Sequence, residues 1–374
     1  EDGIRDIGVT GVQTCALPIF AIDQALSLAN DFHYEKIVLC SMAINGINHD
    51  SNFIDFDSDI IFRSNIIIIE AVGNSYFSSW RFISEIFQMM EIESVLFLSH
   101  SLRATVMVRA LSKITFKKLK TLNTFIHQMP KFASKKQQIK RLVYVQFSKK
   151  LFIFSKLALE EWERTNQLAR ILLKKKPKIL RNGIFLPRLP HNALANNLDV
   201  VVPRIIFLGR NVTWKNSISI QNLSSFAYSH KIDIEFLLMT TNLKNFEVAE
   251  LRKSVSHPLE IVVGKGIDKF NPRFGDVLIY PTNYGFSVKS GESDSINCLE
   301  MACLGVPSLV SRFSPTWENL FTIGILRTCD FSSIENIFHE IKLIATKDFS
   351  QNLSEIRKSI DIKNQIHKFL DSNY

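Results

Sequence analysis

Two glutamates eight residues apart, Glu292 and Glu300, lie in a segment from Asp276 to Ser311 that reads DVLIYPTNYGFSVKSGESDSINCLEMACLGVPSLVS. An apolar run stops at Pro281, a polar loop continues to Gly291, and a helix is predicted around Ser295 to Leu304. Gly305-Val306-Pro307 then leads into the next strand. This order puts Glu292 just before the helix and Glu300 inside it. Amides in the first helical turn, expected over Asp294 to Asn297, have no intrahelical partner and can receive a phosphate or sugar oxygen, which makes Ser295 and Ile296 candidates. Glutamates on helices are most often exposed carboxylates. The succession of strand, proline, spaced glutamates, small-residue helix, Gly-x-Pro and strand favours a site.

A second cluster lies upstream, where Ile205 to Lys215 reads IIFLGRNVTWK. The apolar strand opens into Gly209, where backbone can approach a ligand closely. Arg210 and Lys215 follow. A leaving diphosphate gains charge as the bond to it breaks, and an Arg fork and a Lys point charge suit it. The alternative is a solvated basic loop. In the first half, Thr124 to Pro130 (TFIHQMP) puts His127 at a strand end; a histidine there is as often structural. Asn182-Gly183 reads as a tight turn for backbone reasons alone.

Elements able to position these residues follow from the periodicity. Short β-branched runs alternate with helical patterns of ten to fifteen residues, the mark of βαβ units and parallel sheets. Strands are expected near Lys36 to Ser41, Ile66 to Glu70, Val95 to Ser99, Thr124 to His127, Leu151 to Ser155 and Lys178 to Leu180. A second series runs Arg204 to Leu208, Asp233 to Met239, Glu260 to Val263, Val277 to Tyr280 and Ser308 to Ser311. Helices are expected over Ser101 to Leu111 and Lys156 to Leu168, among others. The stretch from Phe185 to Pro203 lacks periodicity. The expected fold class is α/β, with two Rossmann-like doubly wound domains facing across a cleft: a first domain over residues 20–190, a linker over 191–203, and a second domain over 204–349. C-terminal helices are expected over 350–374, and the helices from Ser332 onward either cap the second domain or cross back to the first. Ligands of such sheets sit beyond the carboxyl ends of the strands.

The glutamate segment resembles the retaining glycosyltransferases of family 4, which have the GT-B fold and a Glu-x7-Glu motif whose second glutamate opens a Glu-Ala-Met-Ala-x-Gly-x-Pro run. Glu300-Met301-Ala302-Cys303-Leu304-Gly305-Val306-Pro307 keeps the spacing of Glu, Gly and Pro, while Ser293-Asp294-Ser295 stands where the family usually has Gly-Phe-Gly or Gly-Phe-Pro. The resemblance implies that Glu292 contacts the donor sugar and Glu300 the ribose hydroxyls, that Arg210 and Lys215 hold the diphosphate, and that His127 touches the sugar. It further implies transfer of a hexose from a nucleotide-diphosphate donor to a hydroxyl acceptor, sugar or lipid-linked, in polysaccharide or glycolipid synthesis. No cofactor beyond the donor is expected. No metal is expected either, since there is no His-x3-His. The family's first strand ends in a Gly-rich loop, and Phe20 to Ala29 resembles the helix after it, so that first strand is expected to be missing.

Glu1 to Ile19 has neither helical nor strand periodicity and resembles translated sequencing-adapter DNA; the alternative is a native tail without order. The 374 residues are 46% apolar and 22% charged, enough for two buried cores. The longest apolar runs are strand-sized, well short of the roughly 20 residues of a membrane span. Five cysteines without a CxxC pair point to free thiols and a cytoplasmic setting. Of the net charge of +9, residues 94–188 carry 22 Lys or Arg against three acids, a local +19, whereas residues 196–374 hold 19 of each. Basic residues interleaved with Phe116, Phe132, Ile139 and Phe147 suit an anionic membrane surface on the inner face, or are a solvated face. Two rival readings remain. One is a two-domain sugar-nucleotide epimerase or phosphorylase; the other is a basic nucleic-acid binder, for which no recognition motif is present and no nucleic acid is expected.

Overall fold

The computed structural model describes residues 16–31, 37–44, 66–73, 76–89, 94–99, 118–126, 139, 142, 145–146, 148–166, 171, 176–189, 202–209, 220–240, 243, 245–263, 267, 270–281, 295–311 and 317–371. The chain divides into two compact units, one of Glu1–Gly183 with Ile362–Tyr374 and one of Ile184–Asp361.

In the first unit, helix α1 (Ala16–Asp31) precedes strand β1 (Ile37–Ile44), which pairs in parallel with β2 (Ile66–Gly73), Ile37 facing Ile66 through Ile44 facing Gly73. Helix α2 (Tyr76–Met89) follows. A four-stranded parallel sheet then runs in the order β3 (Ser94–Ser99), β4 (Lys118–Ile126), β5 (Lys150–Ile153), β6 (Lys178–Ile179). Strand β4 starts six residues earlier than its apolar pattern suggests, because ladder pairing with β3 carries the polar Lys118 to Asn123. Helix α3 (Lys156–Thr165) opens on Ser155, whose hydroxyl accepts from the Ala158 amide at 3.1 Å. It ends three residues short of the expected Leu168, because the Asn166 backbone and side chain both turn back to the Trp162 carbonyl. Leu151, Ile153, Ala158 and Trp162 form its core with Val145. The helix expected over Ser101 to Leu111 lies outside the described residues.

The second unit is built on six parallel strands in the order β12-β11-β10-β7-β8-β9. Their ranges are β7 Arg204–Leu208, β8 Glu235–Thr240, β9 Leu259–Val263, β10 Asp276–Tyr280, β11 Ser308–Ser311 and β12 Leu326–Cys329. Counted in chain order within the unit, that is 6-5-4-1-2-3, the doubly wound order. β10 and β11 are buried at every residue, which is why they read as unbroken apolar runs rather than alternating ones. The connecting helices are α4 (Ile220–Ser229), α5 (Asn245–Ser254), α6 (Ile296–Cys303) and α7 (Glu318–Ile323), followed after β12 by α8 (Ile334–Ala345) and α9 (Leu353–Ile360). α4 buries Ile220, Leu223, Ser224 and Ala227, the 3.6-residue stripe of a helix laid on a sheet.

At the amino ends of the strands, Asp276 is fully buried. Both its oxygens accept from Arg204, Nε and Nη2 each at 2.8 Å, and it also accepts from the Arg273 amide at 2.9 Å. Burial raises the Asp276 carboxyl from its ordinary value, and the Arg204 fork opposes that rise.

The alternatives for the C-terminal helices are both realised. α8 and α9 stay with the second unit, and α10 (Ile362–Asp371) belongs to the first. There Ile362, Ile366 and Phe369 are buried, and the Phe369 ring meets Phe152 edge-on at 5.2 Å. Ile184 and Asp361 form a parallel bridge, with the Ile184 amide donating to the Ile360 carbonyl at 2.9 Å. The turn expected at Asn182-Gly183 therefore has a packing role too, since a Cβ on Gly183 would lie 2.5 Å from the Ile362 Cα.

Candidate functional site

The site is located by where the central ladder of the second unit comes apart. β7 pairs with β10 only from Arg204–Asp276 to Ile206–Leu278. Beyond that point β7 continues alongside β8 to Leu208–Met239, and β10 continues alongside β11 to Tyr280–Val310. The crossovers diverge here as well, from β7 toward β8 on one side and into β10 from β9 on the other. A crevice at such a switch point is the usual ligand position of an open α/β sheet.

Gly209 forms one rim. Its φ is 124°, a conformation that side chains rarely adopt, and its amide donates to the Met239 carbonyl at 3.0 Å. The other rim is the start of α6. Ser295 is its N-cap in extended conformation, and its hydroxyl accepts from the Cys298 amide at 3.4 Å. The first helical residue is thus Ile296, two positions later than the expected start of the donor amides at Asp294. Of Ser295 to Cys303, only Asn297 is not buried. Its side-chain amide donates to the Leu208 carbonyl at 3.0 Å, fastening the helix start to the end of β7.

Glu300 lies one turn further along, three residues from Asn297 and on the same helix face. It is 3% exposed. The commoner fate of a helical glutamate, an exposed carboxylate, is therefore not the one realised here. A buried carboxylate is costly unless it is paired or hydrogen-bonded, and Glu300 is not without a partner. The end of the helix is a backbone device. Gly305 has φ 82°, its amide donates to the Ala302 carbonyl at 3.0 Å, and the Val306 amide donates to the Met301 carbonyl at 2.9 Å, a Schellman termination. Arg357 of α9 adds a bond from Nε to the Cys303 carbonyl at 2.9 Å.

The Asn297 bond brings the start of α6, where Ser295 and Ile296 lie, to the end of β7 next to Gly209, and Glu300 sits on the same helix. Glu292, His127, Arg210 and Lys215 lie outside the described residues. Asn297 is the residue that sequence reasoning missed. Its signal was present: a side chain with two amide donors, at the second position of a helix whose other members, Glu300 apart, are apolar or small. No group of three potential metal ligands occurs among the described residues, and none of the described helices is long and apolar enough to cross a membrane.

A cavity of about 290 Å³ also lies on the β7–β9 face, lined in part by Arg204, Glu260, Phe270 and Arg273. Its arginines are engaged by Asp276, Glu235 and Glu260, so the charge it offers a ligand is largely neutralised. The crevice is the better candidate.

No family model matches the sequence, and no curated protein matches it. Solved structures do. A glycosyltransferase from Rickettsia africae is similar with a TM-score of 0.67 at 13% identity, covering 95% of this chain and 93% of that one. The Anabaena protein HepE in complex with UDP is similar with a TM-score of 0.57 at 12% identity, covering 90% and 100%. A Listeria monocytogenes protein described as a UDP-N-acetylglucosamine 2-epimerase is similar with a TM-score of 0.50 at 13% identity, covering 92% and 88%. The chain has the α/β fold of GT-B glycosyltransferases, with parallel sheets in two Rossmann-like domains.

Proposed function

We propose that this chain is a glycosyltransferase that moves a sugar, a hexose by the family resemblance, from a nucleotide-diphosphate donor to a hydroxyl acceptor. In the reaction the bond from the sugar C1 to the diphosphate oxygen breaks, the acceptor oxygen bonds to C1, and the hydroxyl proton is released along with the nucleoside diphosphate. The observation that carries the reading is Glu300, a carboxylate 3% exposed on the helix that borders the switch-point crevice beside Gly209. A buried carboxylate in that position suits the paired hydroxyls of a ribose, which donate to it. The amides at Ser295 and Ile296 suit the diphosphate or the sugar. The UDP held by the similar Anabaena protein supports a nucleotide in this fold.

By resemblance to family 4, Glu292 contacts the sugar, His127 assists from the first domain, and Arg210 and Lys215 stabilise the departing diphosphate. Each such donor contributes about 3 kcal/mol in comparable sites, on the order of a hundredfold in rate. Retention of the anomeric configuration belongs to the same reading, as does an acceptor that is a sugar or a lipid-linked sugar in polysaccharide or glycolipid synthesis. The +19 stretch over residues 94–188 suits peripheral binding to an anionic inner membrane face. Equal partitioning onto anionic and neutral vesicles would remove that part.

Calorimetric titration with UDP and GDP tests the core of the proposal. One of the two is expected to bind saturably, and Glu300→Ala and Arg210→Ala are each expected to weaken it about tenfold or more. Binding of neither nucleotide refutes it. The epimerase reading is favoured only if the isolated product is a changed sugar nucleotide with no sugar transferred.

A further inference from the structure

We infer that Asn297 is a positioning residue of the donor site, holding the start of α6 against the end of β7. The inference rests on the transferase reading above and adds a residue to it.

β7 and β10 are bonded to each other only as far as Ile206 and Leu278, so the sheet's own ladder does not set their separation beyond that point. Asn297 reaches across there. Its Nδ2 donates to the carbonyl of Leu208, the residue directly before Gly209. Two parts of the site therefore meet through one side chain. One is Gly209, which Arg210 and Lys215 follow in the sequence. The other is the first turn of α6, with the Ser295 cap behind it and Glu300 one turn ahead. A donor that spans both, with its diphosphate toward Gly209 and its ribose toward Glu300, is sensitive to their separation. A ligand held mainly at Glu300 is far less so. In catalysis, misplacement of a positioned group by about 1 Å can cost on the order of a hundredfold in rate, which shows how steeply such geometry counts. Asn297 spends its side-chain amide on the backbone of β7, so its role is positional.

The test compares a nucleoside diphosphate with its monophosphate. Asn297→Leu keeps the shape and removes the donor; Asn297→Gln keeps the donor on a longer stem. UDP and UMP, or GDP and GMP, are titrated into the wild type and both variants, with melting curves to confirm folding. The expected result is a diphosphate Kd raised about tenfold in the Leu variant, a monophosphate Kd changed less than about twofold, and most of the loss recovered in the Gln variant. Equal weakening of both ligands, or unchanged diphosphate binding in the Leu variant while the wild type binds, overturns the positioning role and leaves the transferase reading intact. Failure of the wild type to bind any of the four overturns both.

Discussion

Asp276→Ala is the substitution whose cost the structure specifies most closely. The wild-type carboxylate has no exposed side-chain surface, and the Arg204 side chain it faces is 11% exposed. Two bonds of 2.8 Å from Nε and Nη2 join them, and the Arg273 amide adds a third to the same carboxylate. Alanine leaves the Arg204 guanidinium donating to the Asn271 carbonyl at 3.2 Å and in a looser contact with Glu260 at 3.6 Å. Removing one partner of a buried pair costs about 3 to 5 kcal/mol, because the remaining charge stays out of water. That is a large share of the 5 to 15 kcal/mol typical of a folded domain. For a domain of this size it corresponds to a drop in melting temperature of roughly 6 to 20 °C. Hydrogen exchange read by mass spectrometry on peptides spanning β7 and β10 measures the second unit alone. The companion variant, Arg204→Met with Asp276→Leu, removes both charges of the pair but leaves Arg273, 3.5 Å from the carboxylate through Nε, without that partner, so the loss should shrink to roughly half that of the single variant. Because the pair lies at the amino ends of the strands and the crevice at their carboxyl ends, nucleotide affinity of the folded fraction should be unchanged in both. A single-variant loss under about 1 kcal/mol, or a double variant as unstable as the single, would refute the reasoning.

Two further outcomes follow from packing. Gly183→Ala forces a Cβ to within 2.5 Å of the Ile362 backbone, so α10 should loosen, and limited proteolysis should release the residues after Asp361 faster than in the wild type. Intact α10 under the same digestion would show that the crossing has more room than the geometry gives it. Burial, with Glu340 and Asp330 adding to it, pushes the Cys329 thiol up to about 12, and only the thiolate is nucleophilic. Iodoacetamide should therefore leave Cys329 unmodified in the native protein from pH 7 to pH 9, and the equally buried Cys298 and Cys303 with it, whereas peptide mapping after denaturation should find all three alkylated.

What could be read from residues alone divides along physical lines. β7 and β11 fall at the expected boundaries because strands buried on both faces must be apolar along their length, and a run of apolar residues is visible without knowing its neighbours. β12 has no such run. Its four residues, LRTC, carry Arg327, whose charge is met by Glu340 on α8 at 2.7 Å. Local periodicity does not register a partner thirteen residues away. The same limit hid the Arg204–Asp276 pair, 72 residues apart, and the reach of Asn297 to Leu208 over 89. Distant pairings of this kind appear only once the topology has brought the strands together.

The structure also separates what folding requires in the glutamate motif from what it does not. Gly305 is needed because the backbone turns left-handed there, and the Val306 amide closes the helix onto Met301. Pro307 cannot continue a helix, and its carbonyl accepts the Leu278 amide of β10 at 2.9 Å. Met301, Ala302 and Cys303 are buried and fill the space between helix and sheet. Each of these positions would recur in any protein that had to stop a helix and enter a central strand at this point, so none of them argues for chemistry. Glu300 is different. At 3% exposure among buried apolar neighbours, a leucine or methionine would pack without the desolvation a carboxylate suffers. Glu300 is not without a partner in the fold, so the two demands on it are separated by Glu300→Leu: under the transferase proposal the variant keeps its melting temperature and loses nucleotide binding, whereas a variant that unfolds assigns the carboxylate to the core.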